Sequence, residues 1–298
     1  MSTPLALPAF GLSIVLGLGA VLAPLPAVPV LAQTAQVPQQ APLDAARITA
    51  LTDTMMIGDV IAVMREEGLD YGRTLATEMF AGSGGAQWDA AVSLIYDAPT
   101  MRARFDAALG EALQANGADL AAIEAFFGSE QGQTVLRLEI EARRAMLDEA
   151  VEDAAKLAWA DMQAEGGPRV DKLMRFAEVN DLIESNVMGA MNANLAFYRG
   201  LSESGAFPQD MTEEQMLADV WGQEPDVRAE TTDWLFPFLS LAYQPLPDEG
   251  LDAYLAFSES AAGQQMNTAL FAAFDKVFTQ ISYDLGRAAA KQMLGEDI

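Results

Sequence analysis

The chain of 298 residues contains no cysteine and no histidine. The first absence removes disulfides, thiolate nucleophiles and Cys-ligated zinc sites. The second removes imidazole general bases and with them any Ser-His-Asp triad. Basic residues are scarce as well: 17 Lys and Arg stand against 43 Asp and Glu, a formal net charge of -26 at pH 7. A surface of that sign repels phosphate backbones and anionic lipid, so no nucleic-acid partner is expected. It favours solubility, cations or basic partners. Strand-like alternation of apolar and polar residues is also missing, which leaves helix as the element to look for.

Charge is lacking altogether at the start, where Asp44 is the first charged side chain. Residues 12–23, "LSIVLGLGAVLA", make an apolar run of signal-peptide length, short for a bilayer span. Val30 and Ala32 stand at the -3 and -1 positions of a small-residue cleavage site. The pattern predicts a signal peptide over 1–32, a mature start at Gln33 and a polar, proline-bearing flexible tether over 33–43. The expected location is the periplasm, with no membrane span after cleavage. The leader has no Lys or Arg, so secretion or an uncleaved N-terminal anchor are the alternatives.

From residue 44 onward the periodicity is helical. Val170, Leu173, Phe176, Val179, Ile183, Val187, Met191 and Leu195 share one face at three- and four-residue spacing. Met266, Leu270, Phe274, Val277, Ile281, Leu285 and Ala288 do the same. Breaks are expected at 81–86, 97–100, 115–117, 165–169, 204–208 and 244–250, where Gly, Pro, Asp and Asn gather. "TEEQ" at 212–215 fits a capping box, and Pro237 is expected to kink or divide its helix.

One motif occurs twice. "FFGSEQGQ" at 126–133 and "FSESAAGQ" at 257–264 share an F-x-x-S-x-x-G-Q skeleton at an offset of 131 residues. A weaker match at an offset of 122 pairs Arg47 with Arg169, Leu51 with Leu173, Asp59 with Asp181 and Ile61 with Ile183. The fold expected is all-α, with two tandem helical units over 44–165 and 169–298. Within the motif Phe126 and Phe257 are read as closing a short helix and entering the core. Ser129 and Ser260 are read as N-caps, and Gly132 and Gly263 as places where another backbone passes close. Gln133 and Gln264 suit a hydrogen bond across the same corner. A duplicated catalytic Ser would need a duplicated base, yet at this offset Glu139 becomes Leu270 and Asp148 becomes Thr279.

The pair "AFFGSEQGQ" and "AFSESAAGQ", with leading helices opening at Arg47 and Arg169, resembles the exported bacterial family called domain of unknown function 2059. The resemblance covers most of the mature chain, although both copies lack the Pro that often follows the Ser. It implies an exported all-helical protein. That family has no established activity, catalytic residue or cofactor, so none is implied here.

Other residues invite chemistry. In the acidic stretch 137–156, Asp148 with Glu152 and Glu149 with Asp153 are i,i+4 pairs suited to a hard divalent cation; a solvated helix face is the competing reading. Met55, Met56 and Met64 suit either a core or an apolar cavity. Trp234, Phe236, Phe238 and Tyr243 beside Pro237 form the candidate partner surface. The function expected first is a non-catalytic binding module of the bacterial envelope, engaging an envelope protein or peptide, with no cofactor. A carrier or chaperone for an apolar ligand is the alternative, and a carboxylate-dependent hydrolase comes last.

Overall fold

The computed structural model describes residues 43–80, 84–207 and 212–296, and these are helical with no strand among them. The signal peptide and all of the tether but Leu43 lie outside the described residues. The first seven helices are α1 (Ala45–Thr54), α2 (Ile57–Met79), α3 (Gly85–Ile95), α4 (Ala98–Ala115), α5 (Leu120–Phe127), α6 (Glu130–Ala145) and α7 (Glu149–Glu165). The remaining six are α8 (Pro168–Val179), α9 (Leu182–Glu203), α10 (Glu213–Gly222), α11 (Glu224–Tyr243), α12 (Asp248–Glu259) and α13 (Ala261–Leu294).

Local chemistry explains most boundaries. The side chains of Asp44, Asp97, Asp119 and Asp148 each accept a backbone N–H at the start of a helix, satisfying a donor the helix itself cannot. Thr212 and Gln215 close a reciprocal capping box on α10. Gly166 and Gly167 take positive φ between α7 and α8.

Four expectations are corrected. The periodic face over 170–195 belongs to two helices, because Asp181 adopts a left-handed conformation (φ 46°) and turns the chain between α8 and α9. Met56 (φ 56°) makes the same turn between α1 and α2, so the equivalent corners lie 125 residues apart and the register of 122, which pairs buried Leu51 of α1 with buried Leu173 of α8, does not extend past them. Asp59 sits inside α2 while Asp181 precedes α9. The acidic stretch 137–156 is likewise two helices, with Asp148 capping the second. Pro237 does not divide α11, which runs through it. Its missing N–H leaves the carbonyl of Asp233 without a helical donor, at an exposed residue where water can take that place.

The apolar faces meet in three clusters. In the first, α3, α4 and α5 pack on α13 while α1 and α2 lie on α4, with Phe105 against Phe274 at 4.4 Å between ring centres. The second joins α6, α7, α8, α11 and α12 around Phe176, Phe238, Tyr243 and Tyr254. The third is smaller and holds α9 and α10 together with the start of α11. The core boundaries therefore do not follow a division into 44–165 and 169–298: the last helix completes the first cluster. The exchange is reciprocal, since α13 lies on α4 while α6 lies on α11. Helices α9 and α13 cross at backbone contact, where a Cβ on Gly200 would stand 2.3 Å from the Tyr283 carbonyl and one on Gly286 2.2 Å from that of Phe197.

Candidate functional site

The repeated motif builds two corners with the same hydrogen bonds. Ser129 Oγ accepts the Gly132 N–H at 3.0 Å and donates to the Phe126 carbonyl at 2.6 Å. Ser260 Oγ accepts the Gly263 N–H at 3.1 Å and donates to the Phe257 carbonyl at 2.6 Å. A Cβ on Gly132 would stand 2.2 Å from the Phe126 carbonyl oxygen, and one on Gly263 2.1 Å from that of Phe257. The backbone that passes close is thus the end of the preceding helix. Gln133 Nε2 donates to the carbonyls of Phe127 and Thr54 at 2.7 and 2.8 Å. Gln264 Nε2 donates to those of Ser258 and Val179 at 2.6 and 3.3 Å. Thr54 ends α1 and Val179 ends α8, so each Gln ties a corner to the helix that opens its half of the chain. Ser and Gln are consumed by backbone atoms and present no free reacting group.

The motif phenylalanines depart from expectation. Phe126 and Phe257 are half-buried, and the fully buried neighbour in the first corner is Phe127. The two motif rings instead stack on each other, 3.8 Å between centres and 3° from parallel, touching both large clusters. A ring one position before the helix's buried face is turned sideways, toward the other half of the chain.

The aromatic partner surface is also corrected in part. Phe238 and Tyr243 are buried, at 2% and 0% exposure, because they fall on the face of α11 turned to the second cluster. Trp234 stacks on Phe238 and Phe236 on Trp159, so one face of each ring is covered and both residues are half-buried. Met55 and Met64 are core residues of the first cluster. In the acidic stretch Asp148 caps α7 and Glu152 pairs with Lys156 at 2.6 Å, and no group of three or more ligating side chains occurs among the described residues.

The buried polar chemistry that sequence reasoning passed over centres on Glu139. Its Oε1 accepts a hydrogen bond from Tyr243 Oη at 2.6 Å, and the buried Tyr254 ring packs alongside in the same cluster. Burial pushes the Glu139 carboxyl up to about 7, against the opposing pull of the tyrosine hydroxyls. Burial raises both tyrosines too, so both stay neutral and Tyr243 remains the donor. The groups around this carboxyl are phenols, not the second carboxylate that acid–base hydrolysis of a glycosidic type requires.

An open groove of about 410 Å³ lies between α3, α4 and the C-terminal half of α13. Ala91, Leu94 and Ile95 of α3 and Ala288 of α13 form its apolar wall. Arg104 of α4 also lines it, as do Arg287 and Lys291, one turn apart on α13. Thr100 is occupied, donating to Asp97 at 2.7 Å, and Asp284 accepts from Gln280 at 3.1 Å. Gln292 holds this end of α13 to the carbonyl of Gly84 before α3. Ten of the 17 cations stand in ion pairs; Arg104, Arg287 and Lys291 are among the seven that have none among the described residues. Leu94, at 77% exposure, is the most exposed large apolar side chain among the described residues. No protein-family model, curated protein or solved structure matches the chain. Among the described residues no helix is long and apolar enough to cross a membrane.

Proposed function

We propose that the protein is a non-catalytic binding module of the bacterial envelope, exported by the leader over 1–32, akin to the family called domain of unknown function 2059, and that its ligand enters the groove between α3, α4 and α13. The observation that carries this reading is that Arg104, Arg287 and Lys291 line one groove and none of them stands in an ion pair among the described residues. In a chain with 43 acidic residues, three cations lining one groove with a single lining carboxylate, Asp284, set it apart from the acidic surface around it. A concave site with an apolar wall and a few convergent polar groups is the usual form of a ligand site. Catalysis finds no support in the same groove, where the hydroxyl of Thr100 is held by Asp97 and no nucleophile faces a base.

The carrier alternative gains from the groove's volume, which lies within the 300–1,000 Å³ or so of small-molecule sites. The test is native mass spectrometry of the protein isolated from the envelope of its host, beside Arg104→Gln/Arg287→Gln. The expected result is a bound species on the first that is absent from the second. A double variant that retains the same bound species places the ligand elsewhere, and a wild-type protein that carries nothing and captures nothing from envelope extract refutes the reading.

A further inference from the structure

The groove's two walls differ in chemistry, and that difference narrows what can fill it. Leu94, Ile95 and Ala91 offer an apolar strip on α3, with Ala288 across from it. Arg104 approaches from α4, and Arg287 with Lys291 from α13. Two guanidinium groups and an ammonium suit an anion with several acceptor oxygens, and guanidinium matches the geometry of carboxylate and phosphate. A cationic or neutral guest would leave these three charges unpaired. An ion without an apolar body would leave Leu94 in water. The volume of about 410 Å³ takes one small molecule and is too small for a folded partner.

The overall charge of -26 opposes any anion. That repulsion acts from a distance and is largely screened beyond about 8 Å at physiological ionic strength. Within that range the lining carries three cations against Asp284, which accepts a hydrogen bond from Gln280, and Asp97, whose carboxylate stands 2.7 Å from the Thr100 hydroxyl, so the local balance is one net positive charge. Arg287 also lies against the Tyr283 ring, with its Cζ 5.8 Å from the ring centre, which restrains the guanidinium at the groove's edge.

We infer that the groove binds a single-chain anionic amphiphile, a carboxylate or phosphate head between Arg104, Arg287 and Lys291 with an alkyl chain along Leu94, Ile95 and Ala288. This inference rests on the groove being the binding site and goes further by naming the class of ligand. It departs from a peptide ligand in one respect: affinity must follow alkyl chain length.

Titration calorimetry on the full mature chain tests it with four probes below their critical micelle concentrations: sodium decanoate, decyl phosphate, sodium acetate and decyltrimethylammonium. Decanoate or decyl phosphate is expected to bind, and their ratio separates a carboxylate-headed from a phosphate-headed natural ligand. Octanoate should bind more weakly than decanoate by about two- to fourfold per methylene, the range expected for partial to full burial. Arg104→Gln and Arg287→Gln should each weaken decanoate about tenfold, since a charge-assisted contact is lost. Leu94→Ser should weaken decanoate and leave acetate unchanged. Circular dichroism and thermal melting of these surface variants establish that each is folded. Equal affinity for acetate and decanoate, binding of the ammonium amphiphile as tight as that of decanoate, or variants that bind like the wild type would each overturn the inference. An acetylated acidic peptide such as Glu-Leu-Glu-Leu separates the two levels. If it binds in an Arg104-dependent way while both amphiphiles fail, the ligand class is wrong and the groove stands; if nothing binds, both fall.

Discussion

Replacing Gly263 with alanine separates the corner geometry from helix propensity, because the two predict opposite signs. Gly263 lies in the first turn of α13, and in a helix without neighbours alanine would stabilise by up to about 1 kcal/mol. Here the added Cβ would stand 2.1 Å from the Phe257 carbonyl oxygen, 2.8 Å from its carbonyl carbon and 3.0 Å from Ser258 Cα. The nearest contact falls more than an ångström short of ordinary separation, and the obstacle is backbone, which cannot rotate away. The end of α12 must therefore retreat, taking with it the Phe257 ring stacked on Phe126 and the Ser260 cap hydrogen bonds. Overpacking of this kind costs about 1–3 kcal/mol, so the net change is a loss despite the gain in propensity. Gly189→Ala in α9 is the internal control, since nothing lies within 4 Å of its added Cβ and the expected effect is a gain of up to about 1 kcal/mol. Urea unfolding of both variants gives the free energies, and thermal melts should shift by roughly 2–4 °C per kcal/mol. A Gly263→Ala protein as stable as wild type, or more so, would refute the corner account.

Two further outcomes follow from other groups. Ser129→Ala and Ser260→Ala should each lower stability by about 1 kcal/mol, with the double variant close to the sum, as measured by urea unfolding; strong non-additivity would show that the corners communicate through the Phe126–Phe257 stack. Glu139, raised to about 7 in the fold, binds a proton more readily there than in the unfolded chain, so its contribution is complete below about pH 4.5 and is lost as pH rises through 7. Glu139→Gln should accordingly flatten the fall in stability between pH 5 and 8, by on the order of 2 kcal/mol, and a pH profile identical to wild type would show that the carboxyl is already ionised at pH 5.

The helical class and most boundaries were legible because they are written in local chemistry. Asp97, Asp119 and Thr212 each stand within three residues of the N–H they cap, and every residue of the apolar spacing over Met266 to Ala288 is buried in α13, although its buried surface is wider and takes in small and polar residues such as Ala269, Asn267 and Ser282 as well. The break at Asp181 was hidden because neither Gly nor Pro marks it: the left-handed turn is imposed by packing of α8 and α9, and the apolar periodicity runs on through it. The sideways stack of Phe126 on Phe257 was hidden for another reason, since a ring's partner in the other half of the chain leaves no trace in its own helix. The groove joins Arg104 to Arg287 across most of the sequence. One signal pointed toward it: α13 carries three cations and two anions in a chain that is otherwise strongly acidic.

The position of α13 has a consequence for how the molecule is made. The helix supplies the inner wall for α3, α4 and α5, and Asn116 meets the backbone of Gln265 across 149 residues of chain. A nascent chain emerging from its N-terminus thus has α1–α5 long before it has the surface that covers Phe105, Leu109 and Leu113. Vectorial synthesis cannot complete the first core until nearly the last residue has appeared, so the transition to the native state should involve the chain as a whole. Truncation within α13 should therefore release the N-terminal helices as an adhesive, incompletely packed species, even though every one of their own residues is intact.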